Sequence, residues 1–395
     1  MTRLNSFKGH VGLSLCHMTG MIDMAALPLW IGALMQYYGL AAPEAGLIVT
    51  TFLVGVIVAS ALLAPRFNRL QRRIVACGGF ILSALAFFMA SRLAVSPESF
   101  AGLLILHGIA GFGTGSALSV THGSIGRTEN PHRLFGIVNI ALGVLAIVMF
   151  AVLPGMITAH GGQTMFEAFS LVMSVGALSA LLLFPQIAEK KAEKTSALPA
   201  TPFPRAAWLT IGIVICLTLN QSMIFSFVER IGDIRGFGAD RVQTVLIVLG
   251  FINLLPGLLA AILQKHLSPI AVGIAGPLLQ AAFAMSLTNT TSFAFYAVPT
   301  AFYVSLVIFT HTFLFGLMAK IDPSGRAVAA TPAMMMTGSA TGPALGGIIV
   351  ATVGYGGLGF AVMCVSAIAV CLMLLVRKKL SSAPLQPVLA IPTTS

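Results

Sequence analysis

Uninterrupted apolar runs of about 20 residues recur along the whole chain and constrain its fold more than any other feature. They lie near residues 12–36, 45–64, 74–93, 100–121, 134–158, 164–185, 206–228, 242–263, 269–288, 293–318, 327–352 and 358–376. Each run is long enough to cross a bilayer as an α-helix, whereas a membrane barrel would show short segments that alternate apolar and polar residues. The sequence therefore predicts an all-α membrane protein with twelve transmembrane helices.

The composition agrees with this class and excludes a soluble protein. Hydrophobic residues make up 57% of the chain and charged residues 8%, compared with about 25% charged residues in a soluble domain. The net charge of +11 would suggest a nucleic-acid partner in a soluble protein. Here the basic residues lie in loops and at the ends of the runs, so we expect a lipid bilayer and no nucleic acid.

One long polar connection divides the twelve spans into two sets of six. It covers Gln186–Arg205 and carries charged residues and three prolines, a composition typical of a solvated linker. The predicted domains are a first six-helix bundle at 1–185, a cytoplasmic linker at 186–205, a second six-helix bundle at 206–379 and a disordered tail at 380–395. No paired cysteine spacing is present, so neither a disulfide nor a metal site is expected, and no cofactor is expected either.

The positive charges predict the orientation in the membrane. With the twelve spans placed as above, 18 of the 22 Lys and Arg residues fall on the side that holds both termini and the linker, and 4 fall on the other side. Basic loops stay in the cytoplasm. We therefore expect a multi-pass protein of the cell inner membrane with cytoplasmic termini, functioning as a monomer.

The first span carries Asp23 near its middle. An ionised carboxylate at membrane depth costs several kcal/mol, so such a residue is a functional candidate by default. The sequence predicts that Asp23 is the principal proton-binding carboxylate and faces a water-filled cavity. The alternative is a structural role, in which Thr19, one turn earlier, or a neighbouring helix satisfies the carboxylate.

Two motifs resemble those of the major facilitator superfamily. The loop between the second and third spans reads Ala64-Pro-Arg-Phe-Asn-Arg-Leu-Gln-Arg-Arg73 and is similar to that family's cytoplasmic signature, G-x3-D-[RK]-x-G-[RK]-[RK]. The two glycines of the signature are replaced here by Ala64 and Gln71, and its aspartate is replaced by Asn68. Its three basic residues remain as Arg69, Arg72 and Arg73. The eleventh span contains Gly338-Ser-Ala-Thr-Gly342-Pro343-Ala-Leu-Gly346-Gly347, which spells that family's G-x3-G-P-x2-G-G motif.

The resemblance implies two six-helix bundles that work by alternating access. In the family the loop signature supports a charge contact between the bundles, which Asn68 should weaken here; a plain basic loop would also explain the arginines. Asp322 and Arg326 look like the charge pair of the second-half counterpart. The glycine-proline motif lies on the fifth helix of proton-exchanging exporters, whereas here it lies on the eleventh, the equivalent helix of the second half.

Further polar residues within the spans are candidates for proton coupling and substrate binding. His107 precedes a glycine run in the fourth span, where the family pattern has an arginine, so it is either a proton-coupling residue or a hydrogen-bonded packing residue. Glu229 either titrates during transport or pairs with Arg230 or Arg92. The candidate substrate-binding residues are His17, Trp30, Gln36, Asn220, Gln221 and His311, and the methionines around Asp23 could line an adaptable pocket.

These features favour a secondary active transporter without enzymatic activity. The sequence contains no phosphate-binding loop and no hydrolase motif, so nucleotide hydrolysis is not expected to drive it. We expect proton-coupled export of a small amphipathic molecule, with proton-coupled uptake of a metabolite or anion as the alternative and a non-transporting sensor or enzyme as a remote one. Because no Lys or Arg lies within a span, a neutral, zwitterionic or cationic substrate is favoured over a di- or tricarboxylate.

Overall fold

The computed structural model describes residues 2–129, 131–185, 204–322 and 331–381. The helices in this part of the chain are α1 (Phe7–Gly20), α2 (Ile22–Gln36), α3 (Ala42–Leu63), α4 (Arg72–Ser91), α5 (Phe100–Ile125), α6 (Pro131–His160), α7 (Thr164–Leu183), α8 (Arg205–Ile234), α9 (Ala239–Ile252), α10 (Pro256–Leu263), α11 (Pro269–Asn289), α12 (Phe293–Ile321), α13 (Thr331–Val353) and α14 (Tyr355–Ser381). Short 3₁₀ helices cover Ala64–Arg69 and Pro97–Ser99.

The helices account for the twelve predicted spans. Within the described residues, eleven helical stretches are long and apolar enough to cross a membrane, and α1 and α2 together form the first of them. The predicted eighth span is divided between α9 and α10, because Pro256 starts a new helix. The predicted fold class, an all-α membrane protein with two six-helix bundles, is confirmed. The predicted linker and tail lie almost entirely outside the described residues, although α14 continues to Ser381.

The two halves repeat one another in structure. Gly39 ends the turn after the first span and Gly236 ends the turn after the seventh, and both have a positive φ, of 67° and 72°. This backbone region is open to glycine and strained for other residues. The two glycines are 197 residues apart, which fixes the offset between equivalent positions of the two bundles.

Small residues let the helices within each bundle approach closely. Gly111 and Gly115 of α5 lie against the backbone of α3 at Phe52 and Val56, so a methyl group at either position would collide with α3. In the second bundle, the motif glycines of α13 lie against α8 in the same way. Such contacts are how membrane helices associate when lipid offers no hydrophobic driving force.

The two bundles meet near one membrane face. We call the face at which α1 begins and α14 ends the terminal face, and the other the opposite face. Towards the opposite face, α3 packs against α13: the Thr50 hydroxyl donates to the Ala340 carbonyl (2.7 Å) and accepts from the Ala344 amide (3.2 Å). Gly46 meets the Pro343 carbonyl, and Gly347 meets Ala42. The glycine-proline motif therefore contributes to the contact between the bundles.

Two further contacts complete this closure. The α2 helix packs on α8, and α6 packs on α9, where the Gln243 side chain donates to the Phe150 carbonyl at 2.9 Å. Among the described residues, α1, α5 and α12 pack mainly within their own bundles. The contacts between the bundles that the described residues show thus lie towards the opposite face.

Substituting Gly46 should weaken this closure. In Gly46→Ala the added methyl group would collide with the Pro343 carbonyl, so we expect the opposite face to open. Spin labels at Glu98 and Ser292, one on each bundle at that face, should then show a shift to longer distances in a background without native cysteines. Gly155→Ala adds a methyl group in open space and should leave the distances unchanged. Unchanged distances in Gly46→Ala would show that this contact does not hold the face closed.

Candidate functional site

The first membrane span is broken in its middle, and Asp23 lies at the break. Helix α1 ends at Gly20, and Met21 between the two helices has a φ of −99° and a ψ of 34°, which is outside the helical region. Gly20 is a weak helix former. Pro28, within α2, has no N–H and so leaves the Met24 carbonyl without its helical partner. The local sequence therefore favours a discontinuous helix around the carboxylate.

Asp23 is nearly inaccessible and has no cationic partner. The residue is 5% exposed, and its carboxylate interacts with the backbone amides of Asp23 and Met24 in the first turn of α2. The start of a helix favours a negative charge. Neither ion pair found in the described part of the chain involves Asp23. The buried Thr19 hydroxyl has no hydrogen-bond partner, so a Thr19–Asp23 hydrogen bond, one of the predicted alternatives, is wrong.

The carboxylate lies on the face of the first span that is turned towards its own bundle. Asp23 precedes Trp30 by seven residues, which is close to two helical turns, so the two side chains share a face. Trp30 is fully buried in the first bundle. One turn before Asp23, Thr19 lies against Gly176 of α7. In this conformation Asp23 therefore faces the bundle interior, and not the water-filled cavity that the sequence predicts.

The equivalent position in the second bundle is the centre of a buried hydrogen-bond network. The Asn220 amide donates to Gln280 Oε1 (3.2 Å) and to Ser366 Oγ (3.1 Å), and Gln280 donates to the Leu217 carbonyl (3.0 Å). These contacts join α8 to α11 and α14. Asn220, predicted as a substrate-binding residue, is fully buried and lies inside its bundle instead of facing the other bundle.

The internal repeat relates this network to the surroundings of Asp23. Asp23 and Asn220 are 197 residues apart, as are Ser83 and Gln280. Ser83 Oγ lies 2.9 Å from Thr114 Oγ1, and both residues are fully buried. The first bundle thus has a carboxylate at the position where the second has an amide, and Ser83 and Gln280 are both buried polar residues of their bundles.

His107 and Trp30 are bonded to each other inside an aromatic cluster. Trp30 Nε1 donates to His107 Nε2 (3.2 Å), and His107 Nδ1 donates to the Leu103 carbonyl (2.6 Å). Both imidazole nitrogens are therefore engaged, and the ring is neutral in this arrangement. The rings of Phe87 and Phe169 lie within 6 Å of Trp30. This geometry corresponds to the packing role predicted as the alternative for His107.

His17 pairs with a second histidine that the sequence analysis did not single out. His17 Nδ1 of α1 and His122 Nε2 of α5 are 2.9 Å apart, and the ring centroids are 4.9 Å apart. His17 Nε2 is buried without a hydrogen-bond partner. His122 lies one residue beyond the predicted end of the fourth span, and only the tertiary structure brings it to His17.

Gln221 and His311 are better placed to meet a substrate than Asn220. Gln221 shares a helix face with Phe225 and Glu229, at intervals of four residues. Phe225 contacts Phe150 of the first bundle, so Gln221 lies on the face of α8 turned towards that bundle. His311 Nδ1 of α12 is buried without a partner.

Glu229 and Gln36 line a cavity near the opposite face. The cavity has a volume of about 340 Å³ and lies between α2, α6, α8 and α9. Glu229 Oε2 is buried without a partner in the described structure, and a methyl group at Gly32 of the other bundle would collide with it. Both ion pairs predicted for Glu229 are wrong, because Arg230 pairs with Asp233 (3.6 Å) and Arg92 pairs with Glu167 (3.0 Å).

The comparisons with known proteins agree with this architecture. A family model described as Major Facilitator Superfamily matches residues 13–327, which is well over half of the chain. The chain belongs to the major facilitator superfamily. It is therefore a transporter and not an enzyme. No protein among those of curated function matches the sequence.

Three solved structures of transporters share the superfamily fold. The D-xylose-proton symporter matches with a TM-score of 0.72 and 16% identity over 94% of this chain and 97% of its own. The nucleoside transporter NupG matches with a TM-score of 0.71 and 14% identity over 93% of this chain and 99% of its own. The third structure is a bacterial homologue of the human lysosomal transporter Spinster in an inward-facing, unoccupied conformation. It matches with a TM-score of 0.70 and 14% identity over 97% of this chain and 99% of its own.

The superfamily's loop signature makes contacts within its own bundle. Arg72 stacks on the Phe67 ring (4.7 Å), and Arg73 donates to the Leu181 carbonyl at the end of α7. Arg69 is exposed. Asp322 is buried at the end of α12, whereas its predicted partner Arg326 lies outside the described residues, as does the side chain of Asn68. The predicted charge contacts between the bundles stay predictions.

The motif residues of α13 hold it to α8. Methyl groups at Gly338 and Gly342 would collide with Thr218 and Ser222 of α8, and one at Gly346 would approach Phe227. The Ser222 hydroxyl also donates to the Ser339 carbonyl at 2.9 Å. These residues are structural in this conformation, which is the role predicted for them.

The sequence analysis also missed a second broken span. The eighth span is interrupted between α9 and α10, where the Asn253 side-chain oxygen is buried without a partner. An asparagine three residues before Pro256, in the middle of an apolar run, was the available signal. Broken helices are where transporters place exposed backbone groups and substrate contacts.

Asn220 and Gln221 should differ in their effect on stability. Asn220→Ala would leave the Gln280 and Ser366 partners unsatisfied, so we expect it to lower the free energy of unfolding by about 1–3 kcal/mol. Gln221→Ala removes a side chain for which the described structure has no hydrogen bond, and it should leave stability unchanged. Thermal unfolding of the two purified variants provides the measurement. Equal shifts in the two unfolding midpoints would contradict the assignment of Asn220 to a stabilising hydrogen-bond network and of Gln221 to a surface outside it.

Proposed function

We propose that this chain is a proton-coupled transporter that exports a small amphipathic molecule across the cell inner membrane. The observation that carries the proposal is the composition of the spans that would line a gap between the bundles towards the terminal face: the first span, α8 and α12 contribute methionines and neutral polar groups. No Lys or Arg of the described helices lies within the middle of a span. A site of this kind suits a ligand with a large apolar surface and few charges.

The methionines of the first span support the proposal. Cys16 and Gly20 of α1 contact the neighbouring helices of their own bundle, at Gly176 and Leu118. Met18 and Met21 are half-buried, and their spacing of three residues places them on one helix face, away from those contacts. We infer that this face borders the gap between the bundles. Together with Gln221 and His311 they form the candidate substrate surface.

The glycine-proline motif and the predicted orientation support export. If the terminal face is cytoplasmic, as the distribution of Lys and Arg predicts, this structure is open to the cytoplasm and closed on the outside. A substrate in the cytoplasm or the inner leaflet then enters the gap directly. The glycine-proline motif, which resembles that of proton-exchanging exporters, contributes to the contact between α13 and α3 that closes the outer side. This contact would be broken and formed again in every transport cycle.

Asp23 is proposed as the principal proton-binding group and Glu229 as a second one. Both carboxylates are buried and neither forms an ion pair among the described residues, although Arg230 is close enough to Glu229 to attract its charge. Such burial is costly for an ionised group. Each lies at a place that changes during the cycle: Asp23 at the break between α1 and α2, and Glu229 at the contact between the bundles. Proton binding would then favour the closed arrangement seen here, and release would favour opening.

Uptake by proton symport is the second candidate. The D-xylose-proton symporter shares this fold over nearly the whole of both chains, and a carboxylate in the first span can couple to a proton gradient in either direction. The two candidates differ in the sign of the coupling. Liposomes with an imposed pH gradient distinguish them, because an exporter moves substrate against the proton flow and a symporter moves it with the flow.

The Asp23→Asn variant tests the coupling. We expect it to abolish substrate accumulation driven by a pH gradient and to leave exchange of labelled for unlabelled substrate intact, because asparagine keeps the size of the side chain and cannot bind a proton. Asp240→Asn, at an exposed carboxylate of α9, serves as the matched control. Uphill transport at the wild-type rate in Asp23→Asn would show that Asp23 is structural.

The substrate class can be tested independently of coupling. A thermal-shift screen of the purified protein against metabolites and drugs should yield neutral, zwitterionic or cationic amphipathic compounds, which counterflow in liposomes then confirms as substrates. A carboxylate without a fixed cation would have to be desolvated without compensation. Faster transport of a dicarboxylate than of any neutral or cationic compound, lost in His311→Ala, would contradict the proposal and identify a histidine as the anion site.

A further inference from the structure

The His17–His122 pair lies between the terminal face and Asp23. His122 is half-buried in the last turn of α5, near the terminal face, while His17 is 4% exposed. His17 precedes Asp23 by six residues, a rise of about 9 Å along the helix. Thr19 lies between them in sequence. Three polar residues of the first span therefore follow one another from the imidazole pair to the carboxylate.

Several polar atoms along this line are buried and have no protein partner. His17 Nε2 and Thr19 Oγ1 both have this property in the described structure, and so does His10 Nε2, two turns closer to the terminal face. An unsatisfied buried polar group costs about 1–3 kcal/mol. Native proteins satisfy such groups with ordered water. Water molecules at these positions, together with the Thr19 hydroxyl, would span the distance between the pair and the carboxylate with about four hydrogen bonds.

We propose that His17 and His122 form a proton-binding station that connects Asp23 to the terminal face through the interior of the first bundle. The inference rests on the proposed role of Asp23 as the coupling carboxylate. It adds a route for the proton that is separate from the gap between the bundles, through which the substrate passes. Proton and substrate would then reach the first span from different sides.

The hydrogen bond between the imidazoles allows a proton to be transferred without a net change in the charge of the pair. A proton binds at Nδ1 of His122, and the proton on His122 Nε2 passes to His17 Nδ1. The proton on His17 Nε2 then leaves towards Thr19 and Asp23, where it forms the carboxylic acid. Each imidazole ends neutral and in its other tautomer, and release of the proton in the opposite direction restores the starting state.

The neighbouring charges keep the pair from holding two protons. On α1 the other titratable groups are Lys8, His10 and the buried thiol of Cys16, and Arg127 follows His122 just beyond α5. The Arg127 and Arg72 guanidinium groups lie over the Phe67 ring, which packs on Gly123. The ring of Phe135 in α6 faces His122, and Arg133 precedes Phe135 by two residues in the sequence. On the side of α7, Gly176 lies against Thr19. Apart from Asp23 and from Glu129, which bonds to Asn5 at the terminal face (2.9 Å), the charges on these elements towards the terminal face are positive, so a second proton is disfavoured.

A metal ion is a less suitable occupant. The described residues contain no group of three or more histidine, cysteine, aspartate or glutamate side chains placed to bind a metal, and the imidazole nitrogens are already at hydrogen-bond distance from each other. A proton shared between the rings accounts for the 2.9 Å separation.

Hydrogen–deuterium exchange of the Asp23 carboxyl group tests the route without a substrate. The carboxyl band is identified in infrared spectra of the reconstituted protein by its loss in Asp23→Asn. After transfer to D₂O, we expect this band to exchange about 100-fold more slowly in His17→Gln and in His122→Gln than in the wild type, because glutamine keeps hydrogen bonding but cannot relay a proton. His160→Gln, at an exposed histidine ending α6, should exchange at the wild-type rate.

The outcomes separate this inference from the proposed function. Wild-type exchange rates in both histidine variants would overturn the route and leave the role of Asp23 intact. Absence of any band that is lost in Asp23→Asn would overturn both, because Asp23 would then bind no proton. If a variant does not fold, wild-type protein labelled with ¹⁵N-histidine gives a second readout. Coupling between two imidazole nitrogens through a hydrogen bond is expected, and its absence would overturn the pair.

Discussion

The cost of an unpartnered carboxylate inside a membrane is the constraint on which the proposed mechanism depends. Water at membrane depth is scarce, so a polar group there is either bonded to protein or made neutral. Asp23 interacts with backbone amides at the start of α2 and has no cationic partner among the described residues. Both amides lie in the first turn of α2, just after the break, where helix N–H groups are available to an acceptor from outside the helical ladder. The Met24 amide also donates to the Met21 carbonyl (3.1 Å).

The two bundles use equivalent positions in different ways. In the second bundle, Asn220 bonds to Gln280 and Ser366 and holds three helices together. In the first bundle, the position 197 residues earlier is Asp23. An amide can both donate and accept hydrogen bonds and stays neutral at any pH, whereas a carboxylate can bind a proton. The second bundle thus has a hydrogen-bonded amide at the position where the first bundle has a titratable carboxylate.

Contact between the bundles depends on backbone groups and small residues. Gly46 and Gly347 lie against the backbone of the opposing helix, and the Thr50 hydroxyl bonds to two backbone groups of α13. Contacts of this kind need close approach and little side-chain rearrangement. They can therefore be made and broken as rigid bundles move, which suits the alternating access of a major facilitator superfamily transporter.

The sequence by itself determined the membrane class, the twelve spans, the two-bundle fold and the family, because apolar length and loop motifs are local properties of the chain. It also identified Asp23, His17 and His107 as unusual residues for a membrane. Only the tertiary structure decided which partners the polar residues have. His107 bonds to Trp30 and His17 bonds to His122. Arg230 and Arg92 form ion pairs with Asp233 and Glu167 and not with Glu229. The reason is that a side chain's partner depends on the rotation of each helix about its axis and on which helices are neighbours. Packing between helices far apart in sequence sets both properties.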